Sequence, residues 1–234
     1  MRALKIAAIV GVGMTIAGVA FAGPWTDPAG RVNFTAPSGW VTQVQRANPQ
    51  TIVLTGNAND ECYVMATPNP NTASANADRV HRAVDPISPD AWVTAANAIT
   101  PMFPNHSAHL TSQSVDTSGF WPIQRAQFTS AARPVIAALT SRPGLDLMAM
   151  CWTYGGADAT ATYESLFRSL SNSQDATWQA SAAQQATDFA AQQAAAQAAA
   201  QQAAAQHAQQ QQAQSHGRNG RDRADGPALN PGPH

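Results

Sequence analysis

The chain has 234 residues, with 13 Lys+Arg against 14 Asp+Glu and a formal net charge of −1 at pH 7. Charges this few and this scattered exclude the basic footprint of a nucleic-acid binder and the polybasic clusters that hold a protein to an anionic membrane surface. Lys5 is the only lysine, so every later basic group is arginine.

The N-terminus reads as an export signal. Arg2 and Lys5 precede an apolar run over residues 6–21, and Ala20-Phe21-Ala22 puts small residues at the two positions a signal peptidase reads. The run is short for a membrane span, which needs about 20 residues. Gly11, Gly13 and Gly18 do not space as a dinucleotide-binding loop. Cleavage is expected between Ala22 and Gly23. No cysteine lies there for a lipid anchor, and no later run is apolar and long enough to span a bilayer.

After a turn-rich stretch over 24–30, residues 31–35 alternate, with Val32 and Phe34 on one face. Ala36-Pro37-Ser38-Gly39 breaks that run, and 40–45 resumes an extended one. Residues 51–55 and 61–66 read as an antiparallel hairpin across a short polar loop. Residues 72–84 are alanine-rich and predict a short helix. Ser88-Pro89-Asp90 is a helix start, with a cap, a first-turn proline and an acid near the positive end. The helix after it carries Trp92, Ala95, Ala96 and Ile99 on one face, and Pro101 and Pro104 stop it.

The β pattern returns over 110–117, 120–129 and 134–140. Arg142-Pro143-Gly144 turns into an apolar strand bearing Cys151, and the runs after Gly119 form a meander. Asp158 or Thr160 is expected to cap a closing helix. There Tyr163, Leu166, Phe167 and Leu170 fall at i, i+3, i+4 and i+7, a stripe that packs on a sheet. Cys62 and Cys151 are far apart, each in a β-like run, with no C-x-x-C. In an exported chain they read as a disulfide; the alternatives are a free thiol or a metal pair, and two cysteines alone are short of a zinc ligand set. Strands, helices, strands and a closing helix predict an α+β class, an antiparallel sheet flanked by helices.

The opening W-x-D-P-x-G-R-V-N-F-x-A-P-x-G-W, residues 25–40, resembles the start of the PsbP-like superfamily, including its small secreted bacterial members. The closing strand with Tyr163-Glu164-Ser165-Leu166-Phe167-Arg168-Ser169-Leu170 is similar to the end of that group. The resemblance implies a sheet flanked by helices and a binding or assembly role, without shared catalytic residues.

Between Gln179 and Gln214 every residue is Ala or Gln except Ser181, Thr187, Asp188, Phe189 and His207. Both are strong helix formers, and a helix through the run extends about 55 Å. Trp178 and Phe189 share one face and are expected to dock its first turns. Past Phe189 the run offers little apolar area for a coiled coil, leaving a solvated extension or a spacer and self-association segment. The expected organisation is a signal peptide over 1–22, a globular domain over 23–172, an Ala/Gln-rich helix over 173–216 and a disordered segment over 217–234.

Candidate chemistry is sparse. His106 and His109 with Asp116 contain the donors of a metal site, but H-x-x-H brings two imidazoles together only on a helix, so they read as loop histidines. Asp78, His81 and Asp85 fall on one helix face without a nucleophile to serve. No serine sits in a G-x-S-x-G elbow, and nothing pairs Glu61 with Glu164 as acid and base. Trp25, Trp40, Trp92, Trp121 and Trp152 read as core before they read as a ligand groove. No catalytic residue, cofactor site or metal site is assigned. The expected function is a non-enzymatic periplasmic module for binding or assembly in the bacterial cell envelope. Its partners are unidentified envelope proteins, and its helical tail is a spacer or a homo-oligomer contact. The rival expectations are an envelope hydrolase using His81 or His106, and a periplasmic protein binding a small ligand or metal.

Overall fold

A computed structural model describes residues 23–97, 108–130, 133–155 and 158–221. The segment read as a signal peptide, together with Ile99, Pro101, Pro104 and His106, lies outside the described residues.

A short hairpin opens the chain: β1 (Gly23–Thr26) pairs antiparallel with β2 (Asn33–Ala36), placing Trp25 opposite Phe34. The sequence did not show β1, because Pro24 and Pro28 read as turn residues; pairing with β2 overrides them. Gly30 turns the hairpin at φ 68°, and a Cβ there would meet Ser173 Oγ at 2.8 Å, so both conformation and space call for glycine. Asp27, buried beside this turn, accepts from Arg31 Nε at 3.1 Å and from Thr51 Oγ1 at 3.1 Å, tying the hairpin to the main sheet. Burial works to raise the Asp27 carboxyl, yet these donors hold it below its ordinary value.

The main sheet contains β3 (Val41–Arg46), β4 (Thr51–Gly56), β5 (Asp60–Pro68), β6 (His109–Asp116), β7 (Ile123–Ser130), β8 (Arg133–Arg142) and β9 (Leu145–Thr153). Its order is β3-β4-β5-β9-β8-β7-β6, and the pairings are antiparallel. Strand period two sends alternate residues to opposite faces. Val53, Val64, Ala149 and Ala138 form one row across β4, β5, β9 and β8. That face packs under β2 and α3 (Thr160–Ser169), whose Tyr163, Leu166 and Phe167 are buried together with Leu170 just past its end. Burying side chains of this size stabilises by about 1.5–3 kcal/mol each. On the other face Met65, Met150, Ala137, Phe128 and Trp152 pack with Trp92 and Ala96 of α2 (Pro89–Asn97).

Cys62 and Cys151 stand directly opposite one another in the β5–β9 ladder, fully buried, with Cα atoms 4.1 Å apart and a disulfide joining them. Such close spacing belongs to the narrow, non-hydrogen-bonded sites of an antiparallel pair.

Three boundaries differ from the sequence reading. The helix expected over 72–84 shrinks to α1 (Ala77–His81). Thr72 Oγ1 donates to Arg142 O and accepts from Gly144 N, which holds residues 72–75 in turns, and the helix begins only where Asn76 Oδ1 accepts from Arg79 N at 2.9 Å. Neither Asp158 nor Thr160 is the cap of α3: the N-cap is Ala159, with no side-chain bond, and Asp158 Oδ1 accepts from Thr160 N one position early. Strand β7 starts at Ile123 instead of Phe120 because Phe120 and Trp121 are held in a loop, as described below.

The last helix, α4 (Asp175–Arg221), carries the Ala/Gln-rich run. The chain divides into two compact units, one ending at Ala180 and one running from Ser181 on. Trp178 packs edge-on against Trp121 at 6.2 Å within the first unit. Phe189, in the second unit, is 60% exposed. Among the described residues no helix is long and apolar enough to cross a membrane.

Candidate functional site

A cleft of about 350 Å³ opens on the α3 face of the sheet, between the loop over 118–121 and the junction of α3 with α4. Its walls include Phe120, Trp121, Ile123, Arg142, Arg168 and Leu170. Each wall is set by a local interaction.

The loop is shaped from below and from behind. Asp116 ends β6, and its Oδ1 accepts from Ser118 N at 2.9 Å, the turn an aspartate favours at a strand end. His81 Nδ1 bonds Phe120 O, and its ring stacks on Phe120 at 4.2 Å. Trp121 follows, edge-on to Phe120 at 4.8 Å.

The floor is Arg142. Its side chain is 2% exposed and lies 4.5 Å from the Trp121 ring centroid, a cation–π contact. Nε and Nη2 form a fork on Asp175 at 2.7 and 3.1 Å; Nη1 donates to Thr140 Oγ1 at 2.7 Å and Ser141 O at 3.1 Å. Burial lowers the pKa of Arg142 and the Asp175 carboxylate opposes that shift. A guanidinium this deep needs such pairing, since an unpaired buried charge is costly. The fork also draws the first turn of α4 onto β8.

The rim is a charge relay from sheet to helix. Arg125 on β7 grips Glu164 of α3 through Nε and Nη2, the latter at 2.6 Å, and reaches Asp116 Oδ2 at 3.0 Å. Arg168 of α3 meets the same Asp116 oxygen at 2.9 Å and donates to Ser118 Oγ at 3.2 Å. The Ser118 bonds, then Arg125, hold the Asp116 carboxyl far below the usual carboxylate range against the opposing pull of burial. Glu164 keeps Arg125 firmly protonated. Arg125, Arg142 and Arg168 are thus matched by Glu164, Asp175 and Asp116, and the cleft is close to neutral. Trp121 Nε1 is buried and has no acceptor among the described residues.

The residues singled out in the sequence are distributed differently. Asp78 pairs with Arg82 and not with His81, while Asp85 lies exposed beyond the end of α1, so no acid–His pair forms. His81 supports the loop. His109 and Asp116 are the first and last residues of β6, about 24 Å apart along a strand, too far to share a metal. Among the described residues no group of three or more His, Cys, Asp and Glu is placed to hold one. Glu61 accepts from the Tyr154 hydroxyl and Glu164 is taken by Arg125, on different elements. Of the tryptophans, Trp40, Trp92 and Trp152 fill the core, Trp25 packs on Phe34, and Trp121 alone is both buried and on a cleft wall. Arg142, Arg168 and Asp175 carried no sequence signal. They converge only when β8, α3 and α4 are in place.

No family model matches the chain, and no curated protein matches it. Among solved structures, it is similar to the solution structure of cyanobacterial PsbP (CyanoP) from Synechocystis sp. PCC 6803, with 15% identity and a TM-score of 0.43 over 70% of this chain and 98% of that one. It is also similar to a crystal structure of a Bacteroides thetaiotaomicron VPI-5482 protein, with 14% identity and a TM-score of 0.37 over 67% of this chain and 50% of that one.

Proposed function

We propose that the chain is a non-enzymatic binding module of the bacterial cell envelope, exported by residues 1–22 and working in the periplasm after cleavage between Ala22 and Gly23. The cleft is the face with which it binds, and the Ala/Gln-rich helix serves as a spacer or a self-association segment. The observation that carries this reading is the construction of the cleft. Arg142 is locked on Asp175 and Trp121, and Arg168 is locked on Asp116 and Ser118. Walls already held in place lower the ordering cost of binding. The buried disulfide fits an oxidising compartment.

The test is photo-crosslinking in living cells. A crosslinking residue at Ser118, exposed on the cleft rim, is compared with one at Gln113, exposed in strand β6. A discrete adduct from position 118, lost on Arg168→Gln and absent from position 113, is the expected result. No adduct from either site, or equal adducts from both, contradicts the assignment of the cleft. A spacer or oligomer role for the helix further predicts that shortening the mature chain to Ala180 lowers its hydrodynamic radius by more than the lost mass accounts for. A fall matching the mass alone contradicts that role.

A further inference from the structure

The turn that opens α4 is built by the domain. We propose that it is the nucleus of the Ala/Gln helix, so that the floor of the cleft controls how much of that run is helical. Asn172 Oδ1 accepts from Gln174 N at 2.8 Å, Asp175 Oδ2 accepts from Asn172 N at 3.2 Å, and Asp175 N donates to Asn172 O at 3.1 Å. Trp178 N donates to Gln174 O at 3.0 Å, which closes the first helical turn. Bonds from elsewhere in the domain hold this turn. Asn172 Nδ2 donates to Arg31 O at 2.7 Å and Ser173 Oγ to Gly30 O at 2.9 Å, both in the connection between β1 and β2. Asp175 is shared: the oxygen that takes Asn172 N also takes Arg142 Nη2 at 3.1 Å, and Oδ1 takes Arg142 Nε at 2.7 Å. One carboxylate thus fastens the head of the helix and neutralises the floor of the cleft.

The run needs such a nucleus. A free chain forms its first helical turn at a disadvantage of about a thousandfold, while each residue added afterwards gains or loses little. Between Ala190 and Gln214 the chain contains only Ala, Gln and His207, so no packing of large apolar side chains adds to propensity. Alanine favours the helix and glutamine favours it less, which leaves the balance per residue close to even near body temperature. A helix of this kind exists mainly by propagation from a turn already made. With residues 172–178 preformed, the run is helical from its head and frays from its far end. Releasing Asp175 from Arg142 frees the head, and the helix must then nucleate within the run. Each helical residue advances the chain by about 1.5 Å, so the fork under the cleft sets the length of the rod.

The test is a pair of prolines in the full mature chain. The helical signal is read by far-UV circular dichroism at about 37 °C, where propagation is weakest, and tryptophan fluorescence follows the fold of the domain. Gln184→Pro and Gln210→Pro stand at exposed positions near the two ends of the run, and each breaks the helix where it stands. With the nucleus in the domain, Gln184→Pro cuts off nearly the whole run and is expected to lose about twice the helical signal lost by Gln210→Pro. A run that nucleates itself is interrupted near one end by either proline. Equal losses, or a larger loss from Gln210→Pro, therefore overturn the proposal. Control by the cleft floor is read in Asp175→Ala and in Arg142→Met, below the temperature at which their fluorescence reports unfolding. Both are expected to lower the helical signal toward that of Gln184→Pro. A signal equal to wild type in a folded variant overturns the coupling to the fork. The proline pair leaves Asn172, Asp175 and Arg142 in place, so it decides nucleation without any change to the domain.

Discussion

The Arg142–Asp175 pair offers the sharpest quantitative test of the cleft floor. Arg142→Met removes a cation whose side chain is 2% exposed and leaves Asp175, 14% exposed, without its counter-ion. Truncating one partner of a buried pair costs about 3–5 kcal/mol. The attraction itself is of the order of 4 kcal/mol for unit charges about 4 Å apart at an effective dielectric constant of about 20, before desolvation is deducted. Removing both partners together, as Arg142→Met/Asp175→Asn, strands no charge. The double variant should therefore lie about 2–3 kcal/mol closer to wild type than the sum of the single losses. For a domain of this size the single Arg142→Met loss corresponds to a fall in Tm of about 6–20 °C. Urea melts of the four proteins, followed by tryptophan fluorescence and far-UV circular dichroism, give the cycle. Single losses that add to within about 0.5 kcal/mol would refute the reasoning, because the guanidinium would not then be held by the carboxylate.

Three further outcomes are expected. The Asp116 carboxyl is held below its unfolded value, so its share of stability is present above about pH 4 and is lost as the pH falls through the lower folded value; Asp116→Asn should flatten the dependence of the urea midpoint on pH between about pH 4 and pH 2, and a slope identical to wild type would contradict the assignment. A chain ending at Ala180 should melt with the full mature chain, whereas one ending at Asn172, lacking Asp175 and Trp178, should melt several degrees lower; equal melting of the two would place the domain boundary before α4. Leu166→Ala, at a position 1% exposed under α3, should cost about 2–5 kcal/mol in a urea melt, and a loss below about 1 kcal/mol would mean that this helix does not cover the sheet.

The sheet was largely legible because burial leaves a period in the residues. Val53, Cys62 and Val64, and Leu147, Ala149 and Cys151, alternate along their strands as one buried face requires, and Tyr163, Leu166, Phe167 and Leu170 mark the stripe of α3. Local signals failed where tertiary contacts overrode them. Pro24 hid β1, and the Thr72 hydroxyl converted part of an alanine-rich run into turns anchored on Arg142 and Gly144. The cleft was illegible for a different reason. Trp121, Arg142, Arg168 and Asp175 come from separate elements, and an arginine that will be buried has the same sequence signature as one that will be solvated. The nearest hint was Asp175 just before Trp178 at the head of the Ala/Gln run, an acid and an aromatic one turn apart where the long helix meets the domain.

The most direct test of the account is mass spectrometry of the protein recovered from the cell envelope, alkylated under denaturing, non-reducing conditions before proteolysis. The expected product is a chain beginning at Gly23, with no alkylation at either sulfur and one crosslinked peptide joining Cys62 to Cys151. That bond spans 89 residues of sequence, a closure worth about 4–5 kcal/mol in the chain-entropy view. Recovery of a chain that still begins at Met1, with both cysteines alkylated, would contradict export and the oxidised sheet together.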